Sequence, residues 1–296
     1  MNTPQYSIHL ARAFSDNAGL EGKQIIGNPA AIVLCRNAFP SDEDMGTIAR
    51  TIDQPIVAFL LQQAENHFQI VYYFPDGEPC YLCGHGTLAS AYFIQRLFGY
   101  QEAALTIRGH AYTIQCRMGD TPKIQAELGA YLLGEFPDPL VDNYLALLHS
   151  DRTAIEEAFF SQDLQDIVLV MKSSRMLRDL QPDYFLLSDK IRKDHYRALM
   201  VTAASENPAI DYEIRIFCPY VDEDEDISCG SANCYLLPYW KKKLHSANDT
   251  RELNILCPFK PGDRGFGGIE HGNYHAARHT VSIAGIITET ALPDAI

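Results

Sequence analysis

Positive charge is what this 296-residue sequence has too little of: 24 lysines and arginines stand against 38 aspartates and glutamates, a formal net charge of −14. That balance repels phosphate backbones and anionic lipid, so nucleic acid and membrane surfaces are excluded as expected partners. Long apolar runs are also missing. Stretches such as Ala30 to Cys35 and Ile56 to Leu61 fall short of the roughly 18 residues that a membrane-spanning helix needs. The first 25 residues have no basic start followed by an apolar stretch of signal-peptide length, and a soluble, cytoplasmic protein is expected. No low-complexity linker is present. At 47% hydrophobic and 21% charged, the composition is an ordinary globular mixture, and the length predicts two domains.

Several sites are incomplete. Cys80 and Cys83 form a CxxC, but the second pair that a structural zinc site wants is lacking, since Cys229 and Cys234 have the wrong spacing. His271, His275 and His279 are four apart, yet Gly272 and Asn273 argue against a regular helix there. Asp222, Asp224 and Asp226 resemble the opening of a calcium loop. However, Ile227 stands where its glycine should be and Asn233 where its closing glutamate should be. The segment Gly84 to Ala89 matches a dinucleotide fingerprint formally, but a Pro79 turn precedes it and Ala104 occupies the position of the ribose-binding acid. No metal and no cofactor is expected. The eight cysteines of this chain read as reduced thiols, because it is neither small nor visibly secreted.

Strands are expected at Tyr6 to Ala13, Ala30 to Cys35, Val57 to Leu61, Phe68 to Phe74, Tyr212 to Phe217 and Thr280 to Thr288. A capped helix should start near Ser41, another near His85, and a third after Cys229. The stretch from Gly129 to Asp166 carries mixed signals. Laying Cys83 on Cys229 superposes Gly84 on Gly230 and Glu78 on Asp224, with a strand, a turn and a helix around each cysteine. Two related lobes facing each other are therefore expected, one over residues 1–118 completed by 279–296, the other over 119–278.

Two constellations carry chemistry. In Cys83-Gly84-His85-Gly86-Thr87, glycines allow close approach of a ligand, and free amides at a helix N-terminus can hold a carboxylate. The same partial charge should lower the Cys83 pKa towards neutrality. Cys229-Gly230-Ser231-Ala232-Asn233 repeats the pattern. Two such thiols suit a proton exchange in which one face of a carbon is deprotonated and the other reprotonated. The acidic run Asp222 to Asp226 reads as a solvated loop, although Asp226, three residues before Cys229, could serve as an acid or base among like charges.

At these residues the sequence resembles the phenazine-biosynthesis (PhzF-like) isomerase family, a branch of the diaminopimelate epimerase-like fold. The matching motifs are Gly27-Asn28-Pro29-Ala30-Ala31, Leu82-Cys83-Gly84-His85-Gly86-Thr87, Arg215-Ile216-Phe217 with Glu225-Asp226 and Gly230-Ser231-Ala232, and Pro238-Tyr239-Trp240. The resemblance implies an α/β (α+β) protein of two similar lobes, each a β-sheet wrapped around a central helix, with the active site between them. It also implies cofactor-free proton transfer on a small carboxylate-bearing substrate. Phenazine-type members usually carry a glutamate in a Ser-Glu-Thr motif just before an Ala-Phe pair. Here Gln54-Pro55-Ile56-Val57 precedes Ala58-Phe59, and the glutamate is missing. Those members also usually have threonine where Cys229 stands, whereas Cys-Gly at both half-sites is the pattern of the epimerase and racemase branch.

The expected function is a racemase or epimerase acting at a carbon next to a carboxylate. Cys83 and Cys229 would be the bases, amides near Gly84, Gly86, Gly230 and Ser231 would hold the carboxylate beside Thr87, and Asn28, His85 and Asp226 would support them. Within the family the alternative is a one-base hydrogen shift using Asp226 or His85. Outside it stand a thiol hydrolase pairing Cys83 with His85, disfavoured because residues two apart at a helix start should point apart, and a non-catalytic binding protein. Self-association as a homodimer is left open.

Overall fold

Along Asn28–Cys35, Ala30 and Ile32 face one hydrophobic core while Ala31, Val33 and Cys35 face another. A strand with two buried faces belongs to a sheet sandwiched between layers, and the rest of the computed structural model follows from that. The structure describes residues 5–119, 123–220, 225–244, 250–258 and 265–291. Strands Tyr6–Ala13, Asn28–Cys35, Val57–Ala64, His67–Tyr73, Glu102–Ile107, Thr113–Met118, Lys123–Gly129 and Thr280–Thr290 pair in that order. The last pairs back onto the first, which closes a ring around the helix Gly84–Phe98. This ring runs past residue 118 to Gly129 before the chain leaves for the second lobe. On its outer face lies the helix Asp42–Ile52, which buries Met45, Ala49 and Ile52. It begins where the sequence predicts: Ser41 Oγ accepts the Asp44 N–H at 3.1 Å, one of the orphan donors of the first turn.

Thr280–Thr290 also pairs with Gly268–His275. From there the sheet continues through Leu253–Cys257, Tyr212–Phe217, Ala198–Ala204, Asp166–Met171 and Ile155–Ser161. Its inner face, with Val168, Met200 and Ile214, packs on Tyr235, Leu236 and Trp240 of the helix Asn233–Leu244. Its outer face, with Leu169, Leu199 and Val201, packs on the helices Asp138–Leu147 and Tyr184–Lys193. The result is the α+β arrangement that the resemblance implies, with a continuous sheet wrapped around one helix in each lobe. The stretch of mixed signals resolves into the short strand Gly134–Glu135, the helix Asp138–Leu147 and the strand Ile155–Ser161.

The third helix departs from expectation. A 3-10 turn, Gly230–Ala232, separates Cys229 from the helix proper. Pro238 then sits inside that helix and has no N–H to give to the Cys234 carbonyl. That carbonyl is satisfied instead by the Tyr131 N–H at 2.9 Å, which ties the helix to the segment leaving the first ring.

Candidate active site

Cys83 and Cys229 enter their helical segments with closely similar backbones, φ −133° and ψ 113° against φ −129° and ψ 85°. The two starts meet. A Cβ on Gly84 would lie 2.8 Å from Gly230 Cα, and one on Gly230 would lie 3.3 Å from Gly84 Cα. Only glycine lets two backbones approach this closely. The sequence suggested that these glycines clear space for a ligand, but they clear it first for each other. Gly230 also clears it for the buried Phe14 ring, 2.9 Å from a Cβ there.

Cys83, Gly84, His85, Asp226, Cys229, Gly230 and Ser231 line a single narrow cleft of about 30 Å³. Three further candidates lie behind it. Asn28 Nδ2 donates to Asp226 Oδ1 at 2.7 Å and to the Ser228 carbonyl at 2.6 Å. The Gly86 N–H, expected to hold a carboxylate, is directed to Cys83 Sγ at 3.4 Å because Cys83 is the helix cap. Thr87 is also corrected: its hydroxyl is spent on the Cys83 carbonyl and on Tyr72, each at 2.6 Å.

His85 corrects an expectation as well. Its Nδ1 lies 3.3 Å from Cys83 Sγ, although residues two apart within a helix point apart. Cys83 is not within the helix; its extended cap conformation swings the thiol back over the first turn. Nδ1 is also 3.4 Å from Asn28 Nδ2, which can only donate. Both hydrogens of that amide already go to Asp226 and the Ser228 carbonyl, so the thiol is the hydrogen-bond partner of Nδ1, with the ring tautomer setting which of the two donates. Burial pushes the His85 pKa down to about 3, so the ring carries no charge.

Burial also decides the thiols. Cys83 was expected to be acidified by its helix N-terminus; instead desolvation drives it well above its ordinary value, with the Gly86 N–H pulling weakly the other way. Cys229 is pushed up to about 12 by the same cause, opposed chiefly by the Arg197 cation. Asp226 is raised to about 6 by burial, against the Asn28 hydrogen bond. The acidic run is thus not a solvated loop at its described end: Glu225 is buried on Arg215, while Asp222 and Asp224 lie outside the described residues.

Sequence reasoning missed four features. Cys80 and Cys218 bring two more thiols to the cleft. Pro55 and Ile56, in the stretch where the family glutamate is absent, give it an apolar wall. Glu270, fully buried, accepts from Ser228 Oγ and Asn233 Nδ2, both at 2.5 Å, and is raised by burial to about 7. Arg197 lines the cleft, and its Nη1 reaches Ser231 Oγ at 3.2 Å, itself 3.4 Å from Cys229 Sγ. Arg197 and Glu270 belong to no motif, and only tertiary contact reveals them.

Comparison with known proteins gives the family and the fold. The sequence profile of the family described as phenazine biosynthesis-like protein (PhzC-PhzF) matches residues 21–256. An uncharacterized isomerase of Vibrio cholerae is 33% identical over 245 residues, covering 79% of this chain and 77% of that protein. Among solved structures, a phenazine biosynthesis protein of the PhzF family from Enterococcus faecalis superposes with a TM-score of 0.75 at 24% identity, covering 97% of each chain. A predicted epimerase from Pseudomonas aeruginosa gives a TM-score of 0.74 at 14% identity, over 97% of this chain and 98% of that one. These two establish a shared fold, and the profile and the Vibrio relative establish kinship. The chain belongs to the phenazine biosynthesis-like family and is an isomerase.

Proposed function

We propose that the protein is a cofactor-independent racemase or epimerase that moves a proton at a carbon next to a carboxylate, with Cys83 and Cys229 as the acid–base pair. The observation that carries this is the meeting of two Cys-Gly helix starts, one from each lobe, at one cleft. One cysteine, as thiolate, takes the proton from carbon; the other, as thiol, returns a proton to the opposite face, and the pair ends with its charges exchanged. Backbone N–H groups at the two helix starts stabilise the enolate charge that develops between these steps. Cys229 is the thiol favoured to ionise, because Arg197 acts on it through Ser231.

A second reading is supported by one observation: Asp226 lines the same cleft with a pKa raised to about 6, the range of a general base at neutral pH. It would make the protein a one-base hydrogen-shift isomerase, with Cys229 only a packing residue.

Incubation in deuterated water with amino acids and small unsaturated acids tests the reaction itself, since isomerisation of this kind exchanges hydrogen at carbon. No deuterium incorporation with any acid would count against both readings. The pH profile of kcat/KM separates them. With thiol bases the rate should keep rising above pH 8; with Asp226 it should reach a plateau once pH exceeds about 6. Cys229→Ser fully active beside inert Asp226→Asn would establish the one-base route.

A further inference from the structure

We propose that Arg197 binds a second acidic group of the substrate, so that the reaction is directed to dicarboxylic acids; this assignment of substrate class rests on the proton-transfer reading above. Arg197 is the one cation among the described residues that line the cleft. It also borders an outer vestibule of about 480 Å³ walled by Tyr81, Tyr196 and Tyr220. The cleft and the vestibule share Phe74, Cys80, Leu82 and Arg197, so a molecule spanning the two lies beside the guanidinium.

The guanidinium is held in place from behind. Its Nε donates to Asp166 Oδ1 at 2.9 Å and its Nη2 to Asp166 Oδ2, while Tyr235 steadies that carboxylate from 2.8 Å. Its Nη1 donates to Ser231 Oγ. A guanidinium carries five N–H donors, and these contacts use three of them. The two others, one on each terminal nitrogen, have no partner among the described residues. That is the arrangement for two-point recognition of a carboxylate by a preorganised fork.

The reacting carboxylate does not need Arg197, because the Gly84, Gly230 and Ser231 N–H groups at the two helix starts can hold it, the Gly86 N–H being directed to Cys83. A second one does need it. The protein as a whole is strongly acidic, and Asp226 in the same cleft would repel an anion that no local cation held. The Arg197–Ser231–Cys229 contacts of 3.2 and 3.4 Å put that cation one bridging hydroxyl from the Cys229 sulfur, which suits short diacids.

The test uses matched pairs in both configurations: aspartate against 2-aminobutyrate, glutamate against norvaline, and 2-aminoadipate against norleucine. Each pair differs only in a terminal carboxylate. Isothermal titration of the wild-type protein should find at least one diacid bound roughly 10–100-fold more tightly than its partner, the range of a charge-assisted hydrogen-bonded pair. The double variant Asp166→Asn/Arg197→Gln removes both charges together and leaves no buried ion unpaired; it should erase that advantage. Equal or undetectable binding across all three pairs overturns the assignment, as does an advantage that survives in the double variant. The wild-type comparison decides even if the variant does not fold. Deuterium exchange in the same samples keeps the two claims apart. A diacid advantage without exchange would remove the isomerisation reading and leave Arg197 its ligand, whereas exchange without a diacid advantage would remove Arg197 alone.

Discussion

The two half-sites are copies in backbone and opposites in environment. Cys83 caps an α-helix, takes the Gly86 N–H on its sulfur and faces the uncharged His85. Cys229 opens a 3-10 turn, has no such amide bond, and leans on Ser231 and through it on Arg197. Their exposures, 6% and 7%, are practically equal. What separates the two thiols is therefore charge and hydrogen bonding, and the difference teaches that a duplicated motif need not supply two equivalent groups: burial raises both, and at Cys229 the Arg197 cation opposes it.

The strongest blow to this pairing is removal of either sulfur. Cys83→Ser and Cys229→Ser should each lower turnover roughly 10²–10⁴-fold, the usual worth of a positioned acid or base, measured as racemisation by polarimetry. Each variant should retain hydrogen exchange in one substrate configuration only, and the two should prefer opposite configurations. The contact between the half-sites can be broken next. Gly84→Ala places a methyl against Gly230 backbone at 2.8 Å, and neither backbone can yield as a side chain would. A loss of about 3 kcal/mol in denaturant unfolding is expected, the upper part of the range for overpacking.

A smaller effect separates Asp226 from the thiols. Asp226 and Glu270 have folded pKa values raised to about 6 and about 7, from ordinary values of 3.8 and 4.5. Between about pH 4 and 7 the folded protein therefore binds more protons than the unfolded chain, and these groups make stability fall as pH rises through that window. Asp226→Asn should flatten the fall by on the order of 1–2 kcal/mol, read from melting curves at pH 5 and pH 8. Smallest is the contrast in reactivity. With exposure matched, iodoacetamide should modify Cys229 a few-fold faster than Cys83, as mass spectrometry of the labelled peptides would register. Equal rates would mean that Arg197 does not tell the thiols apart.

Local signals carried the half-sites into view from sequence. A cysteine followed by glycine, at the junction of a polar turn and a helical repeat, specifies a helix start wherever it occurs, and Ser41 specified one in the same way. Three things depended on distance through space instead. Burial overrides the helix N-terminus at Cys83, and burial is a property of the whole cleft. The Cys83–His85 contact follows from a cap conformation that helix spacing rules do not describe. Arg197 immediately precedes the strand Ala198–Ala204, 32 residues before Cys229 (229 − 197 = 32), and reaches it only because the sheet of the second lobe curls around its helix.

The strand Thr280–Thr290 is hydrogen-bonded into both lobes, and its register pairs Leu10 with Thr290. These partners are 280 residues apart (290 − 10 = 280). On the ribosome, the first ring therefore waits with an open seam while nearly the whole of the second lobe is synthesised. Its edge strand Tyr6–Ala13 is guarded on one side only, by Asn28–Cys35, and an open edge is a template for mispairing. One late strand therefore completes the pairing of both lobes, and contacts of such long sequence separation are the kind that slow folding.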